Sequence, residues 1–323
     1  MTVRFGIIGC GDIARRRVAR AIQSSADCEL IAACRRDADK LRQFCADFDV
    51  PRGHASCEAL LADDDIDAVY VASPVADHLP HTLAAAAAGK HVLCEKPMAK
   101  SAAECDAMIA ACREAGVQLG VAYYRRFYPS VLRIKQLLAA GEIAAPLAAS
   151  VVCATPLAIA PGEDGYWRTN LEAGGGGALM DIGSHRINLL LDLFGPATDV
   201  AALCATVAAG YEAEDVATLA LRFADGPQAS LTCVFGAPTD PDEFSILGTR
   251  GRIAIAPLNG SDLVIETAAG RRVETHPAPA NLHAPLVADF AAAVLAGRPP
   301  TVSGEEGRAT TAVMDRAYAS ARG

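Results

Sequence analysis

The chain has 323 residues, 52% of them apolar and 21% charged, with 29 Lys+Arg against 38 Asp+Glu for a formal net charge of -9. At roughly 150 residues per domain this length fits about two domains with material for two buried cores, and the composition excludes long disorder, collagen and coiled coil. No block of five or six basic residues occurs, which argues against nucleic-acid binding.

No apolar run reaches the roughly 18 residues of a membrane helix, and the first apolar strand starts near Val3, so neither a membrane span nor a signal peptide is expected. Eleven cysteines, an odd count scattered from Cys10 to Cys233 without a C-x-x-C pair, read as reduced thiols in a cytoplasmic protein with neither disulfides nor a zinc cage.

Up to residue 122 short apolar runs alternate with helical patterns: RFGIIG and a helix over 12–24, ELIAAC and a helix over 37–48, DAVYVAS and a helix over 77–89, HVLCE and a helix over 101–116, then VQLGVA. Such alternation predicts an α/β domain, residues 1–122, with a parallel sheet covered by helices on both faces. Gly89 and Gly116 stand where helices commonly end on a positive φ.

From residue 123 the pattern changes. Helices over 130–140 and 178–194 precede a succession of alternating runs: DVAALCATV, VATLALRF, ASLTCVF, FSILGT, RIAIAP and DLVIET. Turn signals such as Asp225-Gly226 separate them, so they read as a mostly antiparallel sheet. Helices over 286–296, ending at Gly297, and over 305–320 close the chain, which makes 123–323 an α+β domain.

Directly after the first strand stands Gly9-Cys10-Gly11-Asp12-Ile13-Ala14, a G-x-G-x-x-A loop opening a helix. Its glycines permit a tight turn and close approach of backbone N–H groups to a pyrophosphate at a helix N-terminus, so this is the expected dinucleotide site. At the end of the second strand an NAD-binding protein would carry an acidic residue, but here Cys34-Arg35-Arg36 follow. Two guanidinium groups suit a 2'-phosphate, and NADP(H) is expected in preference to NAD(H). Arg15, Arg16 and Arg17 read as a solvated helical face, with Arg15 in reach of a phosphate as the alternative.

The fourth of these strands runs into Cys94-Glu95-Lys96-Pro97, placing Lys96 at the carboxyl edge of the sheet, where ligands of open α/β folds bind. Farther on, Gly174 to Gly177 lead into a helix carrying Asp181, His185 and Asn188 on one face. The glycine run admits something bulky, and the polar stripe has two open readings, a reacting site or an internal hydrogen-bond network. No third ligand accompanies Asp181 and His185, so no metal is expected.

The ordered set Gly9-x-Gly11-x-x-Ala14, Ser73-Pro74-x-x-x-His78, Glu95-Lys96-Pro97, Trp167-Arg168 and Leu179-x-Asp181-x-Gly183-x-His185 resembles the glucose-fructose oxidoreductase, inositol dehydrogenase and MocA (Gfo/Idh/MocA) family over nearly the whole chain. The resemblance implies a Rossmann domain followed by a domain with a mostly antiparallel sheet that often mediates dimerisation. It also implies oxidation or reduction of sugars, polyols and related cyclic alcohols with NAD(P), and a cis bond before Pro97. By resemblance Lys96, Asp181 and His185 take the catalytic positions. Gly9, Gly11, Asp12, Ile13, Ala14, Arg35, Arg36, Ser73, Pro74, His78, Glu95 and Lys96 take cofactor positions, and Arg35 and Arg36 stand where NAD-using members are acidic.

Hydride transfer to a carbonyl leaves an alkoxide that needs a proton. His185, with an ordinary pKa of about 6.5, suits the general acid in reduction and base in oxidation, while Lys96 stabilises the oxygen; the two roles are exchangeable. Asp181 orients His185 or binds a substrate hydroxyl. Tyr124 and Arg126, with Tyr123 and Arg125, line the substrate cleft or serve the structure; Trp167 and Arg168 cover a sugar face or pack in the core. His78 lies near the nicotinamide or is a core hydrogen-bonding residue. The expected partner is a small polyhydroxylated substrate, with a homodimer or homotetramer formed through the C-terminal sheet. A non-catalytic NADP-binding regulator and a nicotinamide-assisted glycosidase are the competing functions.

Overall fold

The computed structural model describes residues 1–157, 159–160, 162–163 and 165–322. The chain divides into two compact units, Met1–Tyr124 with Ala280–Thr311, and Arg125–Pro279 with Ala312–Gly323.

In the first unit β1 (Val3–Ile8), β2 (Cys28–Cys34), β3 (Arg52–His54), β4 (Ala68–Val71), β5 (His91–Cys94) and β6 (Leu119–Val121) form one sheet in the order β3-β2-β1-β4-β5-β6. Every pairing is parallel, as in the doubly wound Rossmann arrangement. Helices shield both faces, so Val69, Tyr70, Val71, Val92 and Leu93 are essentially without solvent contact. Asp37, Ser56 and Ser101 cap helices here, each accepting main-chain N–H bonds from the first turn.

Two features differ from the sequence reading. The sheet has a sixth strand, β3, whose three residues Arg52-Gly53-His54 show no apolar alternation and pair only with β2 at the edge. The strand ending at Cys94 is therefore the fifth. The first unit also takes back residues 280–311, which the sequence reading gave to the second domain. Helix Ala284–Ala296 packs Phe290 on Phe5 of β1, ring centroids 6.1 Å apart, and Asn281 donates to the Arg17 carbonyl. An apolar helix reads the same whichever sheet it covers.

In the second unit β7 (Pro146–Thr155), β8 (Ala197–Ala205), β9 (Val216–Phe223), β10 (Gln228–Phe235), β11 (Asp242–Gly248), β12 (Gly251–Ile255), β13 (Asp262–Thr267) and β14 (Gly270–Thr275) form a sheet in the order β14-β13-β12-β11-β7-β10-β9-β8. Only the β7–β10 pair is parallel among the described residues, which bears out the mostly antiparallel sheet. Along β9, Ala217, Leu219, Leu221 and Phe223 are buried while Ala220 and Arg222 face out, the alternation of a sheet covered on one side. The sequence reading missed β7, whose small Ala and Ser residues blur its alternation, and the Arg-rich edge strand β14. Yet β7 lies at the centre of the sheet. No helix among the described residues is long and apolar enough to cross a membrane.

Candidate active site

After β1 the chain turns at Gly9 with φ +92°, and an added Cβ would lie 2.8 Å from the backbone of Ala72 and Ser73, so only glycine fits. At Gly11 an added Cβ would meet nothing within 4 Å, which leaves bare backbone facing open space at the start of the next helix. That combination fits the close approach of a pyrophosphate to the main chain at a helix N-terminus, with the Gly9 N–H on the Cys34 carbonyl and the Gly11 N–H on the Gly9 carbonyl fixing the turn. Ala14 is fully buried, whereas Asp12 is exposed and paired with Arg16 at 2.9 Å. The helix includes a π turn, Ala14–Val18, closed by the Ala19 N–H on the Ala14 carbonyl.

Arg35 Nη1 donates to the Cys10 carbonyl at 2.6 Å and so braces this loop, while Arg36 is exposed. The next carboxylate in the chain, Asp37, is committed to capping helix Ala38–Asp47 through the Asp39 and Lys40 N–H groups. Arg15 pairs with Asp47 and lies over the Phe44 and Phe48 rings, an arrangement that ties two helices together.

Two loops at the carboxyl edge are joined by His78. Its Nδ1 lies 3.0 Å from the Pro97 carbonyl and 3.2 Å from that of Met98, and its Nε2 lies 2.9 Å from the Ser73 carbonyl. Burial pushes its pKa down despite these carbonyls. The core hydrogen-bonding reading describes this residue: it shapes the Ser73-Pro74 and Lys96-Pro97 loops. The Lys96–Pro97 bond is cis. Ser73 Oγ lies 3.0 Å from His81 Nδ1. Glu95 is buried, with Tyr70 and the Lys96 N–H as donors to its oxygens.

In the second unit the glycine run leads into a π turn, Leu179–Gly183, closed by the Ser184 N–H on the Leu179 carbonyl, and then helix Ser184–Phe194. Asp181 lies in the π turn, so its relation to His185 is not that of a plain α-helical i, i+4 pair. The bulky group beside the glycines is the protein itself. An added Cβ at Gly174 would lie 2.7 Å from the Trp167 carbonyl, at Gly176 it would overlap the Tyr318 hydroxyl, and at Gly177 the Glu214 carbonyl. The Glu214 carboxylate accepts from the N–H groups of Gly177 and Leu179 at 2.9 and 3.0 Å and from the Tyr318 hydroxyl at 2.8 Å. Burial raises its pKa against those three donors. Asp215 beside it accepts the N–H groups of Val207, Ala208 and Ala209. Sequence reasoning missed this Glu-Asp pair, whose one signal is two adjacent acids opening the apolar strand β9.

Arg168 brings two expected residues together: its Nε is 3.4 Å from Asp181 Oδ2, and its guanidinium lies over the Trp167 ring, 4.5 Å from the centroid. His185 and Asn188 are buried on the helix that follows. Arg126, expected to bind substrate, is instead 7% exposed and ion-paired with Asp192 at 2.7 Å, where Lys135 joins at 2.8 Å. Tyr123 is in the core and Arg125 donates to Asn259, while Tyr124 stacks on His283.

A family model described as "Oxidoreductase family, NAD-binding Rossmann fold" matches residues 3–123, and the GFO/IDH/MocA C-terminal domain matches residues 131–254. The 1,5-anhydro-D-fructose reductase of Ensifer adhaerens is 31% identical over 314 residues, which span 94% of this chain and 92% of the relative. The chain belongs to the Gfo/Idh/MocA family of oxidoreductases. A second Gfo/Idh/MocA relative, the D-xylose 1-dehydrogenase (NADP(+)) 2 of Haloferax volcanii, is 31% identical over 98% of this chain and 97% of its own. Among solved structures, the aldose-aldose oxidoreductase from Caulobacter crescentus complexed with glycerol matches with a TM-score of 0.92 and 28% identity, covering 100% of this chain and 98% of that one. The resemblance carried by the ordered motifs is thereby borne out.

Proposed function

We propose that this Gfo/Idh/MocA protein is an NADP(H)-dependent oxidoreductase transferring a hydride between nicotinamide and a sugar, polyol or related cyclic carbonyl or alcohol. The observation that carries the cofactor preference is the end of β2, where Arg35 and Arg36 present guanidinium groups and Asp37 is withdrawn into a helix cap. The relatives support the substrate class, since the Ensifer and Haloferax proteins are named for an anhydro-fructose and a xylose, the latter with NADP(+).

The backbone at Gly9, Gly11, Asp12, Ile13 and Ala14 would hold the pyrophosphate, Arg35 and Arg36 the 2'-phosphate, and Ser73, Pro74 and Lys96 the inner end of the nucleotide. The bound nicotinamide supplies or accepts the hydride. In reduction His185 gives a proton to the substrate oxygen, and in oxidation it takes one. Lys96 donates a hydrogen bond to that oxygen and stabilises its negative charge. Asp181, held by Arg168, orients His185 or binds a substrate hydroxyl, and Trp167, Arg168 and Tyr124 contact the sugar face. Arg126, buried against Asp192, is left to the fold.

The outward face of the second unit's sheet fits a further expectation, a homodimer or homotetramer. Val264, Ala254, Ser245, Ser150, Ser230, Ala220 and Ala201 follow one another in register across seven strands, a row of small or apolar side chains. The proposed location is the cytoplasm. NADPH oxidation measured over keto-sugars, aldoses, dicarbonyls and cyclic ketones tests the function: steady turnover of one class is expected, and inertness toward all of them with NADPH bound would favour a non-catalytic role.

A further inference from the structure

Gly174 to Gly177 carry no side chain that could fix their path, and glycine backbone is costly to order. The short segment Ala213-Glu214-Asp215 just ahead of β9 fixes it from outside. The Ala213 N–H donates to the Thr169 carbonyl at 3.3 Å, one residue beyond Arg168. Glu214, 7% exposed, then receives three successive main-chain donors: its carbonyl accepts the Ala178 N–H at 3.1 Å, and its two carboxylate oxygens accept those of Gly177 and Leu179. The Tyr318 hydroxyl holds the same carboxylate. These ties continue into the π turn. The Asp181 N–H donates to the Gly177 carbonyl at 3.0 Å, the Ser184 N–H closes the turn on the Leu179 carbonyl, and the Ser184 hydroxyl donates to the Asp181 carbonyl at 3.0 Å. His185 is the next residue. One buried carboxylate is thus linked, through main chain, to the turn that carries Asp181 and delivers His185, and the residue before it holds the strip that carries Arg168.

We propose that Glu214, steadied by Tyr318, is a positioning residue for Asp181 and His185: it fixes the start of the π turn, and so where the two side chains stand, without touching substrate or cofactor. This rests on the reading of His185 as the group that exchanges a proton with the substrate oxygen. A carboxylate suits the task because both its oxygens are acceptors, so it closes on Gly177 and Leu179 together. An amide in its place would turn an NH2 donor toward one of those N–H groups. A buried set of donors and acceptors is costly to leave half made, which holds the turn in one geometry.

The test uses the full chain, the sugar reduced fastest in the NADPH screen, and a temperature at which circular dichroism shows each variant folded. Glu214→Gln is expected to lower kcat at least about tenfold while the Kd for NADPH holds, since misplacing a reacting group acts on kcat and the Gly9 loop lies in the other unit. A support for the fold alone would lower the melting temperature and leave the kcat of the folded enzyme at the parent value, and that result overturns the proposal. The second readout is coupling. In a background carrying Asp181→Ala and His185→Ala, Glu214→Gln should change the residual rate by no more than about twofold, because the side chains it places are gone. A loss as large as in the parent overturns the proposal. Should Glu214→Gln not fold, Tyr318→Phe, which leaves the carboxylate and removes one donor, is read by the same two comparisons with the same outcomes. If His185→Ala alone turns over like the parent, the reading of His185 fails and takes the proposal with it; an inactive His185→Ala beside a fully active Glu214→Gln overturns the proposal alone.

Discussion

A guanidinium that already holds a carbonyl is a different tool from one that faces solvent. Arg35 braces the Cys10 carbonyl, so Arg35→Asp disturbs both the glycine loop and the charge after β2, whereas exposed Arg36 tests the charge alone. Arg36→Asp is expected to weaken NADPH binding at least about tenfold and leave NADH nearly unchanged, since a charge-assisted phosphate contact is worth roughly 1.5–3 kcal/mol. Equal losses for both cofactors in a binding titration would remove the NADP preference. For the chemistry, His185→Ala should cut turnover about 100-fold or more with NADPH affinity intact, and Lys96→Ala should cut turnover at least as much, as loss of a positioned proton donor or oxyanion partner does. Near-normal kcat in both would reject the assignment. These positions could be singled out in the chain because the ordered motifs resemble the family's; the spacing of Asp181 and His185 alone leaves an internal hydrogen-bond network as an equal reading. For His78 and Arg126 the sequence left a structural role open beside the functional one but not the partners, the Ser73, Pro97 and Met98 carbonyls and Asp192, which depend on how loops and helices pack.

Helix Ser184–Phe194 is anchored by Glu214 and Tyr318, which close on the backbone of Gly176, Gly177 and Leu179. Gly177→Ala should therefore destabilise the protein by roughly 2 kcal/mol or more, because its Cβ would overlap a carbonyl that is itself accepting the Ala178 N–H. Thermal unfolding checks this, and a melting temperature within error of the parent would contradict it. At the other side of the second unit, helix Pro129–Ala139 is joined to β14 by Arg133, bidentate on Glu274. That hydrogen-bonded guanidinium, with His276 and Arg272 and against the opposing effect of burial, holds the Glu274 pKa down to about 2. A carboxylate with a depressed folded-state pKa stabilises the fold above its unfolded value, and the benefit disappears as pH falls from about 4.5 toward 2. The melting-temperature gap between parent and Glu274→Gln should close across that acid window and shrink with salt; a gap independent of pH would exclude the ion-pair account. Both helices were visible as periodic apolar patterns, but neither the π turn at Asp181 nor strand β7 was, because small residues carry little periodic signal.

At the scale of the whole molecule the outward row of Ser150, Ser230, Ser245 and Ala220 is the surface proposed to meet a second copy. Ser230→Arg is expected to shift the mass measured by light scattering toward the monomer, since a charge at such a surface cannot be desolvated cheaply; an unchanged mass would place the subunit contact elsewhere. By itself the sequence determined the parallel domain and its cofactor loop, the antiparallel character of the second half and the family, because glycine conformations, strand periodicity and residue order are local properties of the chain. Only the tertiary structure decided that residues 280–311 return to the first unit, that Glu214 and Tyr318 fill the space made by the glycines, and that His283 stands against Glu95. Those pairings join positions from tens to nearly three hundred residues apart, and burial, hydrogen-bond satisfaction and packing select them without leaving a pattern in the order of the residues.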